Sequence, residues 1–327
     1  MEEIEMKNGD NRGLEEEKNF LTSLNKYLGE TESSLMQDVK EEIPNIFLLG
    51  LPRSGTTLLA QILFNNLDIA CTNSFVARFF ESPLTGCMLS KIILGDRKSN
   101  VYKSSYGKPV DMHAPHEFSW FWQNLLNYKD ITVYKPEEAR KSIDWLLVKS
   151  KLLNMNRVFE APLIHKPLEL MAFHMEQFND LFDKALFIYI ERDSIDITYS
   201  LTKARLSYYN DLDEWWGSYP TEYNEISRAP WWEQVPAQVH YLLKLYEDKL
   251  PVIDESRFLK TTYQDLCKDP QQLLEDVKTK VKDISGYSVK QINDPPSLTA
   301  SKPNLDDALI TQLAKGIEKY NLKSTIS

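Results

Sequence analysis

The strongest constraint on folding is the run Ile46-Phe47-Leu48-Leu49-Gly50-Leu51-Pro52-Arg53-Ser54-Gly55-Thr56-Thr57-Leu58-Leu59. An apolar segment of strand length ends at a glycine, a short polar turn follows, and a threonine pair opens an amphipathic stretch. A strand feeding a tight turn onto a helix N-terminus makes an anion cradle: the first-turn N–H groups lack backbone partners, and the helix dipole adds partial positive charge. Gly55 lets the backbone approach a phosphate closely, Thr56 and Thr57 can donate hydroxyls, and Arg53 adds a permanent forked donor. With Ser54 in the same turn, residues 53–57 form the first candidate binding site.

Strand candidates alternate with helical patterns along the chain. Ile46–Gly50 is followed by a helix through about Phe64, read from Leu58, Leu59, Ile62 and Leu63 with a stop at Asn65-Asn66. Further strands are predicted at Arg157–Ala161, Ala185–Ile190 and Arg257–Thr261, each ahead of a polar turn and a helical pattern. The order predicts an α/β fold: a P-loop-like central parallel sheet with helices on both faces, and ligands beyond the carboxyl ends of the strands. Residues 206–235 are dense in aromatics and proline without a clean period. They read as an ordered excursion over the ligand edge, with Trp215, Trp216, Trp231 and Trp232 available to line an apolar cleft.

The chain has 327 residues and a net charge of −10, unevenly placed. Residues 1–43 hold 12 acidic and 5 basic side chains, so the other residues carry only −3. Two units are expected: an acidic helical leader over 1–43 and an α/β domain over 44–327. Leu14, Phe20, Leu21, Leu24 and Leu28 give the leader an apolar helical face that could dock on the body. An acidic domain argues against general nucleic-acid binding, so any polyanion site must be a local pocket. No apolar run is long enough to span a bilayer, and Met1-Glu2-Glu3-Ile4-Glu5 lacks the basic start and apolar stretch of a secretory signal. Three cysteines (Cys71, Cys87, Cys267), without metal spacing, suit reduced thiols in the cytoplasm. No motif calls for a metal.

The spacing Gly50-x-x-x-x-Gly55-Thr56-Thr57 approaches the nucleotide-triphosphate P-loop, but Thr56 stands where that loop carries its lysine. The strong cation is instead Arg53, three positions upstream, which suits one terminal phosphate rather than a triphosphate. Pro52-Arg53-Ser54-Gly55-Thr56-Thr57-Leu58-Leu59 resembles the 5′-phosphosulfate loop of sulfotransferases that use 3′-phosphoadenosine 5′-phosphosulfate (PAPS). The strand Phe187–Glu191 runs into Arg192, and Ser200 follows two helical turns on, so both can face one anion. The alternative is a surface pair of Arg192 with Asp193 or Glu191. That spacing is similar to the 3′-phosphate grip of the same family. Gly107-Lys108-Pro109, Pro115–Trp122, Ile164-His165-Lys166-Pro167, Trp215-Trp216-Gly217 and Tyr263–Pro270 resemble segments of its bacterial members, in order, over about residues 44 to 304. The glycine-rich basic C-terminal loop of cytosolic sulfotransferases is absent, and Lys302, in Ser301-Lys302-Pro303-Asn304, is its replacement candidate.

The resemblance implies sulfonate transfer from PAPS, as co-substrate, to a hydroxyl of a small molecule or natural-product intermediate. A general base must take the hydroxyl proton. His113, His116 and Glu117 are the candidates. Pro115 is well placed as a first helical residue, which would put His116 and Glu117 in a helix first turn and leave His113 pointing into the cleft. Lys166, after a strand, could reach the bridging oxygen. The rival readings are a P-loop nucleotide kinase or NTPase using ATP and Mg²⁺, with Glu191 as the strand-end acid, and a nucleotide-binding protein that has lost its base.

Overall fold

The computed structural model describes residues 16, 19–95, 98–99, 102, 111–128, 132 and 134–324. Leu14 and Gly107-Lys108-Pro109 lie outside the described residues. Helix α1 (residues 19–32) precedes strand β1 (Asn45–Leu49), and α2 (Thr56–Asn66) leads to β2 (Ala70–Cys71). Helices α3 (Pro83–Ile93), α4 (Ser119–Leu125), α5 (Pro136–Ser142) and α6 (Trp145–Phe159) separate β2 from β3 (Leu163–His165). Next come α7 (Glu169–Ala172), α8 (Met175–Leu181) and β4 (Leu186–Glu191), then α9 (Ser194–Tyr209), α10 (Tyr223–Ile226) and α11 (Trp231–Lys249). Strand β5 (Phe258–Thr262), α12 (Tyr263–Lys268), α13 (Pro270–Ser285) and α14 (Asp307–Lys319) complete the path.

The five strands form one parallel sheet in the order β2-β3-β1-β4-β5. Side chains alternate across it, and both faces are covered. Phe47, Leu49, Phe187 and Tyr189 point into a core shared with α3, α6, α8 and α11. Ile46, Leu48, Ile188 and Ile190 point into a second core shared with α2, α12 and α13. Double coverage explains why β1 reads as a continuous apolar run rather than an alternating one.

Residues 157–161 are not a strand. Val148, Leu152, Met155 and Phe159 keep helical spacing, so Arg157–Phe159 is the last turn of α6. Asp144 starts that helix by accepting from the Leu147 N–H at 2.9 Å, and Glu160 ends it in the left-handed conformation. The strand follows at Leu163–His165. The aromatic excursion is also shorter than expected. Helix α9 runs through Tyr209 and α11 begins at Trp231, so only 210–230 bridge them, with α10 inside.

Helix α1 lies against the body through polar contacts. The Asn25 side chain donates to the Arg78 carbonyl at 2.7 Å and accepts from the Glu81 N–H at 2.9 Å. Glu32 accepts from the Leu84 N–H at 2.8 Å. Leu21 packs against the larger core, whereas Phe20 is exposed. Among the described residues, no helix is long and apolar enough to cross a membrane.

Candidate active site

The sheet order sets where a ligand can sit. The connection leaving β1 goes toward the β2 edge, and the one leaving β4 goes toward β5. Adjacent parallel strands whose connections part in this way open a crevice at their carboxyl ends. Arg53 follows β1 and Arg192 follows β4, so the two arginines flank that crevice.

The turn after β1 is held open by its backbone. Gly50 has φ 151°, Arg53 has φ 69° and Gly55 has φ 110°. A Cβ on Gly55 would stand 2.8 Å from the Tyr263 ring, so a glycine is needed there for space as well as conformation. Gly55 is the N-cap of α2 and offers no side chain to its first-turn amides. Thr56 and Thr57, at that N-terminus, line a cavity of about 490 Å³ together with Arg53. Ser54 is buried, with no hydrogen bond to its hydroxyl among the described residues.

Lys166, Glu117 and His116 line the same cavity. Lys166 leaves the end of β3, is 5% exposed, and donates to Thr57 Oγ1 at 2.8 Å and to Glu117 Oε1 at 2.9 Å. One ammonium thus joins the start of α2 to a carboxylate that is itself 37% exposed. The expected helix start at Pro115 does not occur. Pro115 instead bridges to Asn73, and the His116 N–H donates to the Thr72 carbonyl at 2.7 Å. These pairings hold 115–116 extended, so α4 begins at Ser119 and Glu117 stands outside any helix first turn. The Phe118 N–H donates to His116 Nδ1 at 2.9 Å. Burial is the main cause of a lowered His116 pKa, which Lys166 and Arg78 lower further against the opposing pull of Glu117. His113 does not join the cavity lining. Its ring is 3.8 Å from Asp111, whose carboxylate also accepts from the His113 N–H at 2.7 Å.

The second anchor touches the first directly. Arg192 is buried, donates to the Arg53 carbonyl at 3.1 Å and to the Ser301 carbonyl at 2.7 Å, and stacks on Tyr263 at 4.3 Å. A surface pair with Asp193 or Glu191 is ruled out. Asp193 caps α9 through the Ile195 and Asp196 N–H groups, and Glu191 pairs with Lys260 at 2.9 Å. The Ser200 hydroxyl accepts from Arg53 Nε at 2.9 Å, which ties the second anchor to the first, and its own proton stays available to a ligand. From 301–304, the group that meets Arg192 is the Ser301 carbonyl, whereas Lys302 is exposed.

The aromatic lining agrees with expectation in part. Trp215 and Trp216 are present, joined by Tyr208, Tyr209 and Tyr219, whereas Trp231 and Trp232 are not part of the lining. Those two open α11, and Trp231 lies in the main core. Glu169, the first residue of α7, is buried in the wall and accepts from the Ser218 hydroxyl at 2.6 Å. Burial pushes its carboxyl up to about 7, and Glu117 adds to the rise. Leu168, one residue earlier, has φ 49° and ψ −132°, and Phe118, beside Glu117, has φ 57°. Non-glycine residues in sparsely populated backbone regions therefore occur at three corners of the site, counting Arg53. The sequence signal for Glu169 was its place three residues after Lys166.

The model of the Sulfotransferase family matches residues 44–281. No curated protein matches the chain. Among solved structures, sulfotransferase STF1 from Mycobacterium tuberculosis H37Rv is similar at 15% identity, covering 92% of this chain and 79% of that one, with a TM-score of 0.48. The sulfotransferase domain of the Synechococcus PCC 7002 olefin synthase has 16% identity, covering 76% and 78%, with a TM-score of 0.40. The sulfotransferase domain from the curacin biosynthetic pathway has 12% identity, covering 87% and 100%, with a TM-score of 0.42. The family match spans the β1 turn, Glu117, Lys166, Arg192 and all five strands, and the chain belongs to the sulfotransferase family.

Proposed function

We propose that the chain is a cytoplasmic enzyme that transfers a sulfonate group from PAPS to a hydroxyl of a small-molecule acceptor. The observation that carries this is Lys166, joining Thr57 of the anion loop to Glu117 across one cavity. In this reading, residues 44–327 carry the site and the acidic leader stays outside it. Three free, buried cysteines suit the compartment.

PAPS supplies an activated sulfonate and a phosphate leaving group. The chain's own residues do the rest. The amides of the β1 turn, Ser54, Gly55, Thr56 and Thr57 receive the 5′-phosphosulfate at a helix N-terminus that already favours anions. Arg192 holds the 3′-phosphate side, with Ser200 and Lys302 as further donors. The Arg53–Ser200 and Arg192–Arg53 contacts keep the two phosphate subsites in fixed relation.

Glu117 takes the acceptor hydroxyl proton. The freed lone pair forms the new O–S bond as the bond from sulfur to the leaving phosphate oxygen breaks, in line. Lys166 and Arg53 face the charge that collects on that oxygen, so the field is in place before transfer begins. His116 is a poorer base than Glu117. Its Nδ1 lone pair already accepts from Phe118, which leaves the ring proton on Nε2, and burial disfavours a second proton. It instead fixes the turn that aims Glu117. His113 stands outside the cavity and has no part in the transfer.

Thermal melting with adenosine 3′,5′-bisphosphate against ATP plus Mg²⁺ tests the donor. A ligand that binds only the native state raises Tm, by about 2.7 kcal/mol of added stability at a hundred times its Kd. The bisphosphate alone should stabilise at sub-millimolar concentration. Stabilisation by ATP–Mg²⁺ alone would overturn the reading in favour of a nucleotide kinase.

A further inference from the structure

The transfer step leaves one carboxylate in the cavity wall unused. Glu169 is buried and lines the same space as Lys166 and Glu117, and its recorded side-chain partner is the Ser218 hydroxyl at 2.6 Å. Among the described residues no cationic side chain pairs with it. Lys166 is engaged by Glu117 and Thr57, and Arg53 by Ser200. Water is largely excluded at this position, and burial, with Glu117 adding to it, pushes the acid up to about 7. An acid in such a place is held toward its neutral form while the cavity is empty and is drawn to ionise when a cation meets it.

The surroundings indicate what that partner is. Tyr208, Trp215, Trp216 and Tyr219 line the same cavity, and the Trp215 Nε1–H donates to the Ser218 carbonyl at 3.4 Å. The two indoles already receive guanidinium groups, Arg205 over Trp215 at 5.0 Å and Arg53 over Trp216 at 6.0 Å. Aromatic faces beside a desolvated carboxylate are the chemistry that selects an ammonium group: the rings offer negative potential and the carboxylate a charged acceptor. Glu169 itself is placed by the backbone. Leu168, at positive φ, turns the chain between Lys166 and α7, so the leaving-group cation and this acid emerge from one short turn.

We propose that Glu169, oriented by Ser218, anchors a protonated nitrogen, and that the acceptor is therefore a hydroxylated amine such as an amino alcohol, amino sugar or phenolic amine. This deepens the sulfonate-transfer reading and rests on it for the hydroxyl, but not for the amine. Glu117 meets the hydroxyl and Glu169 the ammonium, so the two carboxylates divide the acceptor between them. A neutral polyol could also donate to Glu169, but it would leave the charge uncompensated.

The test is binding of matched probe pairs at a pH of about 8, where the amines stay protonated and Glu169 is ionised. Tyramine is compared with para-ethylphenol, and aminopentanol with hexanol, on the wild-type chain, E169Q and S218A. In at least one pair the amine should bind about tenfold tighter than its neutral partner. E169Q should erase that preference while leaving the affinity for the neutral partner intact, and S218A should reduce it. If no amine is preferred by the wild-type chain, or the preference survives in E169Q, the proposal is overturned. Adenosine 3′,5′-bisphosphate on the same samples reports separately on the donor. Stabilisation by it without an amine preference sinks only the ammonium site, whereas an amine preference without such stabilisation sinks only the PAPS reading.

Discussion

At the scale of single residues, the site divides its labour by what each side chain already holds. Lys166 is committed to Glu117 and Thr57, His116 to the Phe118 amide, and Arg192 to two carbonyls. Glu117→Gln keeps the shape and the oxygen facing Lys166 but cannot take a proton. Turnover should fall about 10²- to 10⁴-fold, as for loss of a general base, with bisphosphate binding retained. Steady-state kinetics beside a melting curve with the bisphosphate checks both halves. Arg192→Ala should do the reverse in the first instance: weaken the bisphosphate by tenfold or more, since a charge-assisted contact is lost, read by calorimetric titration. Its Arg53 and Ser301 contacts also make it structural, so Arg192→Lys is the milder comparison. The loop residues 53–57 were legible because a glycine-flanked turn after an apolar strand has few other uses. Glu169 and Ser218 were not, because they come from turns 49 residues apart that meet only across the cavity.

At the scale of elements, two helices show how packing settles what spacing leaves open. Pro236 inside α11 has no N–H to give the Trp232 carbonyl one turn back. Gly316 of α14 packs against that carbonyl, where a Cβ would meet the Trp232 backbone and the Pro236 ring. Gly316→Ala should therefore destabilise the chain by roughly 1–3 kcal/mol, the range for overpacking, and lower Tm by several degrees in a calorimetric scan. Helix α14 supplies no residue to the cavity lining, so the cavity should persist in the variant below its Tm. The strands at β1, β4 and β5 were readable from apolar runs of strand length. The segment 157–161 misled because Val158 and Phe159 favour strands when taken alone, whereas Val148, Leu152 and Met155 upstream set a helical face. The start of α4 misled for a different reason. Pro115 suits a helix start locally, but pairing of 115 and 116 with Asn73 and Thr72 held those two residues extended and delayed the helix to Ser119.

At the scale of the whole molecule, buried ionisable groups set the response to acid. Burial depresses the His165 and His174 rings to about 3 and raises Glu169 to about 7, against ordinary values of 6.5 and 4.5. The histidines contribute stability that is present above pH 6.5 and lost as pH falls toward 3, because each ring takes a proton on unfolding. Glu169 has the opposite sign: its contribution is full below pH 4.5 and lost as pH rises through about 7, because it releases a proton on unfolding. Between pH 6.5 and 4.5 the two effects oppose each other. E169Q removes the release, so its stability should fall more steeply with acid than the wild type's, by at most about 1.4 kcal/mol per pH unit. Urea denaturation across that window measures the slope, and parallel slopes would contradict it. The sequence by itself determined the α/β class, the glycine-flanked turn after β1 and the strand-end place of Arg192, because these follow from local periodicity and backbone chemistry within a dozen residues. Only the tertiary structure decided that Glu117 rather than His113 enters the cavity, that Ser200 is taken by Arg53, and that Glu169 is buried beside Ser218. Those outcomes depend on which distant segments share a neighbourhood, and desolvation and hydrogen bonding at that range leave no periodic mark in the chain.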